Sequence, residues 1–384
     1  MINVELANLE IGVPPPILPP LENSLRVAKR IDEMGYHAMW YPDHLMGWIP
    51  ESIWTPDIIP VAMFQPSPHI FFDTFSLIAA HASQTQRIKL GTAVTESIRR
   101  HPVILAQTAL TLDHLTKGRF ILGMGAGEAE NIIPYGMSFK EPVGRLEESL
   151  RIIRKFWENP GKALSFDGKY WTMKNAVLAL EPYKKDHPPP ILVGAHGPRM
   201  LRITGELADG WIPTMLSVKD YAEKLKVIHA VMGKAERDPQ KFIPAMWALT
   251  ILAEEHEACH KLFNTPMAKA WALISPSYLF EQAGMNHPLA LYLGKTNINP
   301  LIDYIPTNYD RNAALKMLDL INPEVMEAVF LHGTRNDIIK HLEEYYRVGL
   351  RHIIIWNITG MIDPTKYRMS LSILLELLDY IKGK

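Results

Sequence analysis

The residues with the clearest capacity for chemistry stand close together at Asp43, His44 and Trp48. A carboxylate, an imidazole and an indole at such spacing can hold a charge, move a proton near neutral pH and present an aromatic face. Residues 36–41, directly before them, are apolar and aromatic and lie between Gly35 and Pro42. That pattern predicts a short buried strand, which must end where Pro42 has no N–H to give to a ladder. Asp43 and His44 then fall where the strand runs out into a loop. Asp after Pro is also ordinary turn chemistry, so this run alone leaves a structural reading open.

Two further stretches carry candidate chemistry. Gly123-Met124-Gly125-Ala126-Gly127-Glu128-Ala129-Glu130-Asn131 follows a predicted strand, with three glycines at alternate positions. Glycine permits close backbone approach and unusual dihedrals. The run lacks the third glycine of a dinucleotide fingerprint, because Glu128 stands there, and it lacks the Gly-Lys-Ser/Thr end of a P-loop. Glu128 can exchange protons if its surroundings tune it; otherwise it is a solvated carboxylate at a turn. Gly194-Ala195-His196-Gly197-Pro198 opens a predicted helix, with Arg199 and Met200 next. Free N–H groups at a helix start suit phosphate, and an ordinary strand-to-helix turn would look the same. The histidines are read as carrying no ligand set, so no metal is expected, and no Gly-x-Ser-x-Gly elbow points to a serine hydrolase.

The elements that must position these groups follow from periodicity and punctuation. Strands are expected at 3–8, 36–41, 87–94, 119–122, 190–193, near 211, at 243–252 and at 352–357. Helices are expected at 21–34, 71–83, 102–115, 145–158, 199–207, 219–232, 336–348 and 366–381, with a hairpin at 166–173. About eight strands alternating with helices, without a composition break, imply one (β/α)8 barrel over residues 1–384. A doubly wound open sheet is the other arrangement of such units. In the barrel, residues just after the strands share one face, so Asp43, His44, Ala93, Val94, Glu128 and His196 converge. Residues 45–70 are proline-punctuated and rich in bulky apolar groups, fitting loop packing, a subunit contact or an apolar pocket wall. Residues 253–310 break the rhythm and read as an insertion.

Composition narrows the class. Of 384 residues, 47% are hydrophobic and 21% charged, which describes a globular chain with ample core. A formal net charge of -1 gives no field that would favour nucleic acid or an acidic membrane. Cys259 is the single cysteine, so no intramolecular disulfide forms and a reducing compartment fits. Residues 1–10 have no basic leader segment, and no run of 18 apolar residues exists, so a cytoplasmic protein without a membrane span is expected.

Taken together, Asp43-His44 with Trp48, Gly91 through Thr95, Gly123 through Asn131 and Gly194 through Met200 resemble the luciferase-like flavin and deazaflavin oxidoreductases. The likeness covers most of the chain and leans toward the coenzyme F420-dependent branch. It implies a (β/α)8 barrel, commonly a homodimer, acting on a small-molecule substrate. On that likeness His44 is the acid/base at the substrate oxygen, Trp48 holds the charged intermediate and Glu128 handles a proton at the cofactor ring. Asp43 and Glu96 would touch the deazaflavin. Ala93 and Val94 form a bulge behind the ring, often with a cis peptide. Ala126, Gly127, Asn131, His196, Gly197, Arg199 and Met200 line the cofactor. Glu96 departs from the pattern of the sugar-phosphate enzymes, whose basic residues also lack clear counterparts here. The implied reaction is hydride transfer between F420 and an alcohol/ketone pair. The alternatives are a methylenetetrahydromethanopterin reductase and an FMN-dependent luciferase-like monooxygenase.

Overall fold

The computed structural model describes residue 6, residues 8–214 and residues 216–383. Parallel strands pair in the ring β1 (Glu10–Val13), β2 (Ala38–Tyr41), β3 (Lys89–Thr92), β4 (Phe120–Met124), β7 (Ile191–Val193), β8 (Gly210–Trp211), β9 (Ile243–Leu252) and β11 (His352–Asn357). β11 pairs with both β9 and β1, and β8 pairs back onto β9, so the ring closes. This is the expected (β/α)8 barrel. The hairpin is the antiparallel pair β5 (Leu164–Asp167) and β6 (Thr172–Ala176).

Helices α1 (Leu21–Met34), α2 (Thr74–Ala82), α3 (Pro102–Thr116), α4 (Pro142–Trp157), α5 (Pro198–Leu207) and α6 (Val218–Lys234) connect the strands up to β9. α1 stops at Gly35, which takes the left-handed conformation (φ 82°) that a side chain would resist. Three features differ from expectation. The strand expected at 3–8 lies mostly outside the described residues, and the first strand is Glu10–Val13. The irregular segment does not end at 310. It runs through α7 (His256–Phe263), α8 (Pro266–Leu273), α9 (Ser277–Gln282), α10 (Pro288–Leu293), α11 (Pro300–Asp303), α12 (Arg311–Asp319) and α13 (Pro323–Val329). It returns through an unforeseen strand, β10 (Leu331–Gly333), too short to show periodicity, which pairs parallel with the far end of β9. α14 (Arg335–Arg347), α15 (Thr359–Ile362) and α16 (Tyr367–Ile381) complete the chain. Among the described residues no helix is long and apolar enough to cross a membrane.

The barrel interior is filled rather than hollow. Trp40 occupies its lower part, and a Cβ on Gly12 or Gly91 would come within 2.6 Å of the indole, so those strand positions must be bare. The Trp40 N–H donates to His352 Nε2 at 2.8 Å, and His352 Nδ1 lies 3.0 Å from Glu10 Oε2, leaving Nδ1 to donate there. Burial raises the Glu10 carboxyl, but His352 and Lys89 outweigh it and hold the group at about 2. Residues of the 45–70 loop, among them Ile49, Ile53, Trp54 and Ile59, share a second apolar core with the α7–α13 segment. The loop therefore packs against the insertion and builds up one side of the barrel mouth.

Candidate active site

β2 delivers Asp43 and His44 to the mouth as the strand pattern requires. The Asp43 carboxylate is buried, and its Oδ2 accepts from Thr95 Oγ1 (2.6 Å) and Arg100 Nη1 (2.6 Å), with Arg99 Nη2 at 3.1 Å. Arg99 also donates to the Asp43 main-chain oxygen at 2.6 Å and, through Nε, to Glu96 Oε1 at 2.6 Å. Glu96 further accepts from the backbone N–H groups of Ile98 and Arg99. Both carboxylates are thus committed to two arginines that tie the β2 and β3 loops together. A buried carboxylate persists only when so paired.

His44 sits beside this cluster with its side chain 9% exposed. Its ring meets Trp48 edge-on (centroids 4.6 Å apart) and Phe71 at 5.5 Å. Asn131 determines its tautomer. Asn131 Oδ1 accepts from the N–H groups of Leu45 (2.6 Å) and Met46 (3.0 Å), so Nδ2 must be the atom 2.8 Å from His44 Nδ1. Nδ2 donates, Nδ1 accepts, and the proton of the neutral ring resides on Nε2. Burial holds the imidazole below its ordinary value, against the opposing pull of Glu128. His44 is therefore neutral at pH 7 and offers an Nε2–H.

Two carboxyl groups face the other ring nitrogen. Glu128 Oε2 lies 3.6 Å and Glu130 Oε1 4.0 Å from His44 Nδ1. Glu130 is almost wholly buried, and burial together with the adjacent Glu128 charge pushes its carboxyl up to about 10. Glu130 thus keeps its proton at pH 7. Sequence reasoning missed this residue. The Glu128-x-Glu130 spacing was visible, but nothing in it announces that the second carboxyl is the buried one. Arg99, Arg100 and Thr95 were missed for the same reason.

The Ala93–Val94 peptide is cis, as the resemblance implied. Thr95 N–H donates to Gly123 O (2.9 Å), and Gly125 N–H to Thr95 O (2.8 Å), which locks the bulge onto the end of β4. The alternate glycines now have a packing reason. A Cβ on Gly125 would lie 2.7 Å from Val94 Cγ2, and one on Gly123 would lie 1.9 Å from the Thr92 carbonyl oxygen. Ala126 follows, and Gly127 takes φ 94°, a conformation that turns the chain toward Glu128.

On the far side, β7 delivers His196. Its Nε2 accepts from the Thr214 N–H at 3.2 Å, which leaves the proton on Nδ1, a buried atom without a hydrogen-bond partner. Burial, aided by Lys224, lowers this imidazole to about 4, so it is neutral. Gly197 and Arg199 are exposed at the start of α5, Met200 is buried, and Arg199 pairs with Glu147 at 3.0 Å. A cavity of about 80 Å³ is lined by Trp48, Thr214, Trp247, Trp271 and Trp356 among others. Trp48 touches His44 and Thr214 touches His196, so the cavity links the two sides. The buried Trp48 N–H lies near Glu130 without forming a well-aligned hydrogen bond. The orphaned donors on Trp48 and His196 suit a bound molecule rich in acceptors. A larger hollow of about 350 Å³, lined by Asp113, Lys184, His187 and Pro188–Pro190, lies where β7 begins, the barrel end opposite the mouth.

The expectation that the histidines carry no ligand set needs correction. His256-Glu257-Ala258-Cys259-His260 has HExxH spacing, legible in the sequence itself. His332, distant in sequence, joins His256 and His260 in the fold.

The family model described as luciferase-like monooxygenase matches residues 7–352. A phthiodiolone/phenolphthiodiolone dimycocerosates ketoreductase of Mycobacterium kansasii is 32% identical over 334 residues, covering 86% of this chain and 89% of its own. A 5,10-methylenetetrahydromethanopterin reductase of Archaeoglobus fulgidus is 25% identical over 282 residues, covering 73% and 80%. Among solved structures, an F420-dependent secondary alcohol dehydrogenase in complex with an F420-acetone adduct superposes with a TM-score of 0.71 at 19% identity, covering 97% of this chain and 99% of that one.

Proposed function

The chain belongs to the luciferase-like monooxygenase family, and from that premise we propose that it is a coenzyme F420-dependent oxidoreductase interconverting a ketone and an alcohol. The observation that carries the reading is the neutral His44, its tautomer determined by Asn131, set between a proton-holding carboxyl pair and an indole-walled cavity. The ketoreductase relative and the alcohol dehydrogenase neighbour support the same reaction type.

The deazaflavin, when bound, supplies the hydride. His196, Gly197, Arg199 and Met200 would hold it on one side, with Ala93, Val94, Ala126 and Gly127 behind the ring. Asp43 and Glu96 act there indirectly, through the arginines that shape the loops. His44 donates from Nε2 to the substrate oxygen. A proton leaving Nε2 would be made good at Nδ1 once the Asn131 N–H turns away from it, from the proton kept by Glu130 and passed through Glu128, the two carboxyl groups lying 4.0 and 3.6 Å from Nδ1. Trp48 orients the substrate by its N–H and excludes water with its ring. The apolar, tryptophan-lined cavity suits a carbonyl compound with bulky hydrocarbon parts better than a sugar phosphate. The family resemblance supports reading the protein as a homodimer.

Fluorescence titration with F420 and, in parallel, with FMN tests the cofactor, and F420 reduction against a panel of alcohols tests the reaction. His44→Ala should leave F420 binding within a fewfold while turnover falls by at least about 100-fold, the scale of a lost general acid or base. Unchanged turnover in this variant would remove His44 from the mechanism, and binding of FMN in preference to F420 would move the protein to the monooxygenase branch.

A further inference from the structure

Away from the carboxyl pair and His44, the first and last parts of the helical segment meet at three imidazoles. His256 and His260 are one turn apart on α7, so both rings leave the same side of the helix. β10 sets His332 against them, with ring centroids 5.2 Å (His256–His260), 5.3 Å (His256–His332) and 6.2 Å (His260–His332) apart. One ring nitrogen from each lies within 4.8 Å of the others. Glu327 of α13 reaches in, with Oε1 2.9 Å from His260 Nε2 and Oε2 3.0 Å from His332 Nε2.

The opposite ring nitrogens are each held by an acceptor. His332 Nδ1 lies 2.9 Å from the Phe330 carbonyl, and His256 Nδ1 3.2 Å from Asp337 Oδ2. His260 Nδ1 lies 3.4 Å from Glu257 Oε2. A histidine that gives its Nδ1–H to an outer acceptor turns an Nε2 lone pair toward its ligand, the arrangement found around bound metals. Here two such lone pairs face one carboxylate, and only a cation or added protons can reconcile them. His260 Nε2 is buried and makes no hydrogen bond although Glu327 Oε1 is close, so the contact lacks the alignment of an N–H donor.

We propose that His256, His260, His332 and Glu327 form a four-coordinate site for a divalent transition ion of the Zn²⁺ type. Three imidazoles and one carboxylate match that ion class rather than Mg²⁺ or Ca²⁺, which prefer all-oxygen shells. With Glu327 as fourth ligand the shell is closed, which makes the site structural. Glu257, the position that serves as base in HExxH peptidases, is 83% exposed and turned back toward His260 Nδ1. Cys259 is buried, its Sγ 3.6 Å from the Ile251 carbonyl, and stays outside the ligand set. The ligands come from α7, α13 and β10, so the ion clips the start of the helical segment to its end. That segment carries Trp271, one wall of the mouth cavity.

The test is direct binding of Zn²⁺ and of Co²⁺ to chelator-stripped full-length protein. Competition with a chromophoric chelator should give one Zn²⁺ per chain, and Co²⁺ should develop the intense visible bands of four-coordinate geometry. Zn²⁺ should also raise the unfolding temperature. His332→Ala and Glu327→Gln should each weaken Zn²⁺ binding by more than the roughly 10–100-fold typical of losing an outer-shell partner. Because His332 is buried and its loss could disturb folding, the exposed His256→Ala gives a second reading with the same expectation. Less than a tenth of an equivalent bound, weak octahedral Co²⁺ bands, or equal affinity in these variants would overturn the site.

Discussion

Replacing Glu130 by Gln should stabilise the protein at neutral pH. Glu130 is buried beside Glu128, and its carboxyl is raised from 4.5 to about 10. The folded state therefore keeps a proton that the unfolded chain releases above pH 4.5. A raised carboxyl contributes its full stability below the unfolded value and loses it progressively as pH climbs toward the folded one. At pH 7 the loss spans the interval from 4.5 to 7, which at about 1.4 kcal/mol per unit is about 3 kcal/mol. This figure needs only that the group stay protonated at pH 7. Glutamine preserves the shape, accepts from Asn131 Nδ2, which now lies 3.0 Å from Glu130 Oε1, and donates to Glu128 without ever ionising. Urea unfolding of Glu130→Gln against the parent protein should show a difference below about 1 kcal/mol at pH 5, about 3 kcal/mol at pH 7 and more at pH 9. Equal stability at all three, or a variant less stable at pH 9, would show that Glu130 ionises freely and that no proton is stored beside His44.

Asn131→Ala removes the acceptor of the Leu45 and Met46 N–H groups and should cost about 2 kcal/mol or more in denaturant unfolding, since orphaned buried donors are expensive. It should also shift the His44 ring resonances, because Nδ1 loses the donor that determines its tautomer. Gly125→Ala brings a Cβ to 2.7 Å from a branched, stiff Val94 side chain and should cost about 1–3 kcal/mol by overpacking, measured the same way, while weakening cofactor binding. At the other end of the barrel, Glu10 has a lowered carboxyl, so its contribution is present above pH 4.5 and disappears as pH falls through about 2. Acid unfolding of Glu10→Gln should therefore converge with the parent near pH 2 and diverge above it.

Much of the barrel was legible because its signals are local. Proline after Tyr41, glycine after Met34 and the apolar run at 243–252 mark element ends and a buried strand through backbone sterics and burial alone. β10 escaped because three residues cannot display a period, and its pairing with the far end of β9 is decided by what folds between them. The site divides the same way. His44, Trp48 and Glu128 lie at strand ends by spacing, and the cis peptide at Ala93–Val94 followed the family pattern. Asp43 and Glu96, expected at the cofactor, are buried against Arg99 and Arg100, partners that spacing alone did not show.

The sequence by itself determined the alternation of strand and helix and the residue types that stand at the strand ends. Those depend on interactions between near neighbours. Only the tertiary structure decided which carboxyl keeps a proton, which nitrogen of His44 carries its hydrogen and that His332 meets His256 and His260. Protonation and ligation depend on desolvation and on partners a few ångströms away, and such partners are tens or hundreds of residues apart along the chain.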